Sequence, residues 1–380
     1  MNVPEPSFTL GIEEEYLLVD KESRDLCNEP PPSMMKECEA LCEGQVSPEF
    51  LRSQIEVGTR VCRTIKGARD DLALLRCAVI KVADKYGLAP IAASTHPFGQ
   101  WHKQKQTEND RYTTLANDLQ TVARRLLICG MHVHVGIEDE ELRIDLMRQL
   151  VYFLPHLLAL SCSSPFWNGY DTGLKSYRLT VFDGMPRTRL PEDFVSFAEY
   201  ERHVGALVGA GIIEDATKIW WDIRPSARYP TLETRITDVC TRVDDAITIA
   251  AILVCLTRML YRLRADNKRW RIYARMLTNE NRWRAMRYSY DEGLVDFGKG
   301  QIIPYSDLLD EILELIERDA EELGYTEEVN NARNILERGT SAHMQLAAYA
   351  KAIEAGASRE EALQKVVDLL IQETREGLEL

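Results

Sequence analysis

The chain has 380 residues, of which 45% are hydrophobic and 28% are charged, which is the composition of an ordinary globular protein. Its 60 acidic and 46 basic residues give a formal net charge of −14 at pH 7. Because a phosphate backbone attracts a basic surface, this charge argues against a nucleic-acid partner. An anionic nucleotide is still compatible with the chain if local arginines and metal ions offset the negative field.

The cysteine usage and the apolar stretches point to a cytoplasmic protein. Nine cysteines are scattered without a C-x-x-C pair, which fits reduced thiols better than a disulfide framework. Residues 1–8 show neither the basic nor the apolar region of a signal peptide. The longest apolar stretches, 150–167 and 246–261, contain polar or helix-breaking residues and predict buried helices. We therefore expect no membrane partner.

Strands and helices are both predicted in the first 241 residues. In chain order, the patterns predict strand 9–19, helix 33–42, strand 53–61, helix 66–86, strand 88–94, helix 110–125, strand 128–137, helix 138–160, and strands 219–224 and 231–239. Ser33 is the expected N-cap of the first helix. An antiparallel sheet covered by helices follows from this order.

Residues 242–380 are predicted to be mainly helical. The candidate helices are 244–264, 306–323, 327–338, 341–355 and 359–376, and Ser341 and Ser358 are the expected N-caps of the last two. The sequence therefore predicts one catalytic domain of the α+β class over residues 1–380.

Four of the predicted strands, 9–19, 53–61, 128–137 and 231–239, have one apolar face and one face with reactive groups. These faces carry Glu13, Glu15, Glu56, His132, His134, Glu233 and Arg235. If the strands pair in one sheet, carboxylates, imidazoles and a guanidinium meet on a wall suited to divalent metal and phosphate.

Glu13 and Glu15 lie on the same face of the first strand, roughly 6.5–7 Å apart along it. This spacing suits two neighbouring metals, or one metal on each side of a phosphate. A solvated strand face is the alternative, but glutamate is depleted in strands, which favours a functional role. Glu14 points to the opposite, apolar face and is expected to pair with a structural arginine. Glu56, taken alone, is better explained as a simple edge-strand residue, and it becomes a site candidate through the residues that it would join.

His132 and His134 share one strand face, so each is a candidate metal ligand, phosphate contact or hydrogen-bonded core group. The His-x-His pattern also occurs in zinc hydrolases and does not identify the metal.

Glu233 and Arg235 lie on one face of the last predicted strand. They form either an exposed ion pair, which contributes little to stability, or a metal ligand beside a phosphate contact. Arg224 and Arg228, just upstream, offer further anion contacts.

A stretch rich in arginine and tryptophan covers residues 262–287. Two interpretations are equally favoured: a nucleotide or substrate lid, and a solvated helical face. Neither a P-loop nor a G-x-G-x-x-G motif is present, so metal and arginines would have to hold the phosphates of a nucleotide.

Five segments occur together in an order that resembles the glutamate–cysteine ligase family 2, also called carboxylate–amine ligases. They are GIEEE (11–15), QIEVGTRVC (54–62), GMHVHVGI (130–137), RPSARYPTLETRITDV (224–239) and ENRWRAMRY (280–288). The resemblance implies the glutamine-synthetase-like catalytic fold, in which an antiparallel sheet lines a funnel-shaped active site. It also implies ATP-dependent amide formation, typically from the γ-carboxylate of glutamate through an acyl phosphate to the amine of cysteine.

The resemblance also assigns roles to individual residues. The positions that match the family's ligands for Mg²⁺ or Mn²⁺ are Glu13, Glu15, Glu56, His132 and Glu233. Arg235 matches the arginine that steadies the transferred phosphoryl group. The expected contacts to ATP phosphates or to the substrate carboxylate are His134, Arg178, Arg224 and Arg228. The expected partners are small molecules, namely glutamate or a similar carboxylate and cysteine or another amine, and the resemblance suggests a homodimer.

Two other hypotheses stay open from the sequence. One is a zinc-dependent hydrolase that uses His132 and His134. The other is a non-catalytic relative that binds a nucleotide or metabolite, although a binder has no need of so many candidate metal ligands.

Overall fold

The computed structural model describes residues 4–380, apart from the side chains of residues 111 and 115. The strands are β1 Leu10–Asp20, β2 Val46–Pro48, β3 Gln54–Gly58, β4 Leu88–Ile91, β5 Met131–Gly136, β6 Phe166–Trp167, β7 Tyr170–Asp171, β8 Ile223–Pro225, β9 Thr231–Thr234, β10 Leu294–Asp296 and β11 Gln301–Ile303. The helices before residue 240 are α1 Pro32–Leu41, α2 Ile65–Lys85, α3 Asp110–Leu119, α4 Thr121–Arg124, α5 Glu140–Leu150, α6 Leu154–Ser161, α7 Arg178–Phe182 and α8 Phe197–Gly209. Those after it are α9 Val243–Ala265, α10 Arg275–Tyr288, α11 Tyr305–Leu323, α12 Thr326–Arg338, α13 Ser341–Glu354 and α14 Arg359–Thr374.

A seven-stranded antiparallel sheet forms the centre of the part described, with the order β2-β3-β1-β5-β9-β8 and with β4 beside the far end of β1. The register places predicted site residues side by side, namely Glu13 with His132, Glu15 with Glu56, and His134 with Glu233. Because paired residues point to the same side of a sheet, the four polar strand faces form one surface. The expected α+β class with an antiparallel sheet lining the site is confirmed.

Helices cover the opposite, apolar face of the sheet. Ile12 and Val133 are fully buried there, and α2 and α9 pack against β1 and β5. Glu14 points into this layer and pairs with Arg76 of α2, as the alternation along β1 predicts. Burial of this apolar face is the main stabilisation of the sheet and holds its polar face toward solvent.

Helix α9 is long and apolar enough to cross a membrane when judged by length and composition. Most of its most apolar stretch is buried inside the protein, where it contacts α2, α5, α6, α11 and α12. Helix α9 is therefore the central core helix. Helix α6 is likewise buried along its whole length. Both apolar stretches are thus buried helices, as the sequence predicts.

Several predicted boundaries are wrong for local reasons. The segment predicted as one helix over 138–160 is two helices, because Pro155 lies in the first turn of α6 and starts a new helix. The segment 110–125 is likewise interrupted at Gln120, whose φ is 49°. Strand β9 ends at Thr234, since the next two amides donate to the carbonyl of Asp222.

The predicted N-caps are only partly correct. Ser358 caps α14 by accepting from the backbone N–H of Glu361. Thr340, not Ser341, is the N-cap of α13, and the first helix starts at Pro32, one residue before Ser33. Proline is favoured in the first turn, where its missing N–H costs nothing, so it competes with a serine cap.

Candidate functional site

A cavity of about 640 Å³ opens on the polar face of the central sheet. Every residue that the sequence and the family resemblance single out as a site residue lines it: Glu13, Glu15, Glu56, His132, His134, Arg178, Arg224, Arg228, Glu233 and Arg235. Residues as far apart in the chain as positions 13 and 235 meet here because β1, β5 and β9 are adjacent in the sheet.

Glu13, His134 and Glu233 form what we call the central ligand group, whose candidate ligand atoms all lie within 4.8 Å of one another. Nδ1 of His134 is 2.9 Å from Oγ1 of Thr231, and its Nε2 is 3.4 Å from Oε1 of Glu13. This Nε2 is buried and has no hydrogen-bond partner. An imidazole held through one nitrogen with the other unsatisfied is the arrangement of a metal-binding histidine.

Charge in this group is set by its neighbours. Burial acts to raise the pKa of Glu13, but its contacts with the rings of His132 and His134 outweigh burial and hold that pKa well below its ordinary value. Burial is likewise outweighed at Glu233, where neighbouring arginines lower the pKa. Burial and the charge of Arg235 lower the pKa of His132 to about 4. At neutral pH the carboxylates of Glu13 and Glu233 are therefore ionised beside the neutral imidazole of His132, which leaves anionic oxygens for a cation.

Glu15, Glu49 and Glu56 form a second cluster, the edge ligand group, toward β2 and β3. Oε2 of Glu15 accepts the backbone N–H of Gly130 at 2.8 Å. Burial and the nearby Glu49 raise the pKa of Glu15 to about 7, and burial with the same neighbour raises the pKa of Glu56 well above its ordinary value. Three carboxylates that resist simultaneous ionisation are stabilised when a divalent cation lies among them.

Two arginines border the central ligand group. Arg224 binds Glu233 through two contacts, Nε to Oε2 at 2.9 Å and Nη2 to Oε1 at 3.1 Å. Arg235 also contacts Glu233, and its Nη1 lies 3.4 Å from Nδ1 of His132. Both cations therefore stand beside a candidate metal ligand, where an anionic substrate group would be drawn.

Arg178 and Arg228 complete the positive side of the cavity. Arg178 is buried and donates to the carbonyl oxygens of Arg235 at 3.1 Å and Ile236 at 3.3 Å. Its Nε is buried without a partner. Arg228 belongs to the exposed turn between β8 and β9. These four arginines thus contribute hydrogen-bond donors to the cavity that also contains the central and the edge ligand groups.

Sequence patterns missed some of the lining residues. Glu49 follows β2, which has only three residues, and it reaches the site because β2 pairs with β3. Tyr229 packs edge-to-face on His134 with ring centroids 6.1 Å apart, and Trp220 lies under Arg187. A glutamate after a three-residue strand shows no periodicity, so only the pairing of β2 could have identified it.

The basic stretch 262–287 fits the solvated face better than the lid, with Arg282 as a buried exception. None of its residues described in the structure lines the cavity. Arg282 is buried in ion pairs, while Arg264 and Arg269 pair at the surface with Asp145. The lid hypothesis therefore has no support in this structure.

Comparison with known sequences gives consistent matches over nearly the whole chain. The model of "Glutamate-cysteine ligase family 2 (GCS2)" matches residues 9–368. A protein of Rhodospirillum rubrum named "Putative glutamate--cysteine ligase 2" is 61% identical over 374 residues, which cover 97% of this chain and 96% of that protein. A protein of Jannaschia sp. with the same name is 55% identical over 366 residues and 96% of both chains.

Two solved structures resemble the fold. A glutamate–cysteine ligase from Francisella tularensis in complex with AMP superposes with a TM-score of 0.71 at 13% identity, over 99% of this chain and 90% of that one. A bifunctional glutathione synthetase from Pasteurella multocida gives 0.69 at 14% identity, over 97% of this chain and 53% of that one. At these identities the likeness shows the fold alone. The sequence matches carry the assignment, and by them the chain belongs to glutamate–cysteine ligase family 2, whose members are ligases that form amide bonds with hydrolysis of ATP.

Proposed function

We propose that this protein is an ATP-dependent carboxylate–amine ligase of the glutamate–cysteine ligase type. A carboxylate oxygen of the first substrate attacks the γ-phosphorus of ATP, and ADP leaves. The amine of the second substrate then attacks the acyl carbon, phosphate leaves, and the nitrogen loses a proton. The observation that carries the proposal is that both acidic ligand groups and four arginines line the same cavity.

This arrangement fits phosphoryl transfer because that reaction needs positioning and charge neutralisation more than a protein nucleophile. Arg235 is held between Glu233 and His132, beside the central ligand group, where its positive charge supports a role toward a transferred phosphoryl group. We assign it the stabilisation of the phosphoryl group. Arg224 and Arg228 are assigned to the phosphates of ATP on the same side of the sheet.

The residues present fit Mg²⁺ or Mn²⁺. Carboxylate oxygens are the preferred ligands of these ions, and both ligand groups supply them, from Glu13 and Glu233 and from Glu15, Glu49 and Glu56. The unsatisfied Nε2 of His134 and the mutual repulsion in the edge group are what a bound cation would relieve. When bound, the ion would neutralise phosphate charge. His132 belongs to neither group and contacts Glu13, so a zinc site built on both histidines is less well supported.

The substrates are proposed from family membership. Glutamate or a similar carboxylate would meet the unsatisfied Nε of Arg178, and cysteine or another amine would accept the acyl group. A cytoplasmic location is supported by cysteines that are all free. The homodimer is carried over from the family resemblance.

The decisive experiment uses substrate glutamate labelled with ¹⁸O in its γ-carboxylate, together with ATP, Mg²⁺ and cysteine. An acyl phosphate intermediate transfers one labelled oxygen to the released phosphate, and mass spectrometry detects both this phosphate and the dipeptide. If cysteine gives no product, a panel of other amines follows under the same conditions. ADP release that needs neither carboxylate nor amine, or unlabelled phosphate with amide product, would contradict the mechanism.

A further inference from the structure

Arg282 of α10 is buried outside the cavity and binds two carboxylates at once. Its Nη1 and Nη2 each lie 2.8 Å from an oxygen of Asp183. Its Nε is 2.7 Å and its Nη2 is 3.2 Å from the oxygens of Asp222. Arginine suits this place because its planar fork can satisfy two carboxylates in fixed directions.

One of these carboxylates leads to Arg235. The backbone carbonyl of Asp222 accepts the N–H of Arg235 at 2.8 Å and that of Ile236 at 3.2 Å. These bonds form where β9 ends and the chain turns away from the sheet. The position of Arg235 therefore depends on Asp222, whose side chain Arg282 holds.

The other carboxylate leads to α7, whose residues also line the cavity. Asp183 is the C-cap residue of α7, the short helix that begins with Arg178. Phe182 and Met185, on either side of this cap, line the cavity. The single guanidinium of Arg282 therefore joins the segment that carries Arg235 to the helix that carries Arg178.

We propose that Arg282 is a positioning residue for the ligase reaction, acting through Asp222 on Arg235 and through Asp183 on α7. The inference depends on the proposed function. Without the guanidinium, the buried carboxylate of Asp222 and the partly buried carboxylate of Asp183 would face each other, and they would move apart or take up a proton. Either response shifts the backbone that aims Arg235, and displacement of a reacting group by about 1 Å can lower a rate by about 100-fold.

The test compares Arg282→Lys and Asp183→Asn with the control Arg284→Lys. Arg284 lies on the same helix but donates only to backbone carbonyls of Glu292 and Gly293. We expect kcat to fall by about tenfold or more in Arg282→Lys, with a smaller fall in the nearly isosteric Asp183→Asn. The KM for ATP should stay within about threefold, since the phosphate contacts remain, and the control should keep its kcat.

A second measurement separates positioning from general stability. If Arg282 acts through Arg235, the double variant Arg282→Lys/Arg235→Lys should lose little more activity than Arg235→Lys, because the same interaction is already lost. The inference would be overturned if the activity losses of the two single variants multiply in the double variant. A kcat of Arg282→Lys within twofold of wild type, or a defect confined to KM, would also overturn it. Loss of the folded state in both Arg282→Lys and Asp183→Asn would assign the cluster to stability and overturn it too. A wild-type protein without ATP-dependent ligation would overturn the proposed function itself.

Discussion

Glu14 and Arg76 form a buried ion pair with two hydrogen bonds, on the side of β1 opposite to Glu13 and Glu15. Nε of Arg76 donates to Oε2 of Glu14 at 2.8 Å and Nη2 donates to Oε1 at 2.7 Å, and both side chains are 0% exposed. The same guanidinium donates to the carbonyls of residues 240 and 241. The pair thus ties β1 to α2 and to the chain beyond β9, which fixes the strand that presents two candidate metal ligands.

We predict that Arg76→Met destabilises the protein strongly, because the carboxylate of Glu14 is left buried without its partner. The free energy of unfolding should fall by about 3–5 kcal/mol, measured by urea unfolding followed by circular dichroism. The double variant Glu14→Gln/Arg76→Met removes both charges and should recover part of the loss. A decrease below about 1 kcal/mol in the single variant would show that the pair contributes little.

Ligase activity should depend on the charges of the central ligand group. Glu13→Gln and Glu233→Gln keep the side-chain shape but remove an anionic ligand, and each should lower kcat by about 100-fold or more in the ADP-release assay. Glu201→Gln, on the exposed surface of α8, is the matched control and should behave as wild type. Wild-type turnover in either ligand variant, with an unchanged melting temperature, would remove the central group from the mechanism.

We predict that Glu49, as a member of the edge ligand group, contributes to the affinity for a divalent metal ion. Glu49→Gln should weaken binding of Mn²⁺ by about tenfold, because one of three carboxylates in the group loses its charge. Calorimetric titration of the protein with Mn²⁺ alone checks this without any substrate. Glu39→Gln, an exposed carboxylate of α1, is the control. Equal affinities in the two variants would leave Glu49 without a role as a ligand.

We predict that the buried imidazole of His156 makes the folded protein less stable in acid. Its imidazole is buried in α6, and burial lowers its pKa to about 4, against about 6.5 in an unfolded chain. Between these values the unfolded state binds more protons, so stability is full above pH 6.5 and falls as the pH drops toward 4, by about 3 kcal/mol in total.

The variant His156→Phe isolates this contribution. Nδ1 of His156 has no hydrogen-bond partner, and its ring packs among Tyr152 and Tyr305, so a benzene ring is a reasonable replacement. Unfolding free energies at pH 4.5 and pH 7 should differ less in the variant than in wild type. An identical pH dependence in the two proteins would contradict a neutral, buried His156.

Strand alternation predicted more of the site than any other feature of the sequence. Within one strand, side chains alternate whatever the rest of the fold does, so Glu13 and Glu15 share a face and Glu14 faces the core. The pairing of Glu14 with an arginine follows from the same rule, since a buried carboxylate needs a cation. Which arginine it is, Arg76, is decided by the packing of α2.

Residues without a periodic context were not predictable in this way. Glu49 follows a three-residue strand, and Arg282 lies in a basic helix whose sequence fits a solvated surface equally well. The partners of Arg282, Asp183 and Asp222, are 99 and 60 residues away in the chain. A local sequence pattern does not reveal contacts between residues so far apart in the chain.

The sequence by itself therefore determined the kinds of groups that the site contains and the face of each strand on which they lie, because the period of a strand is a local property of the backbone. Only the tertiary structure decided which groups stand side by side. The order of strands brought Glu13 to His134 and Glu233, the pairing of β2 added Glu49, and the packing of α10 placed Arg282 against Asp222, whose carbonyl binds the backbone of Arg235. These relations depend on contacts between segments distant in the chain, and such contacts form when apolar surface is buried in the whole domain.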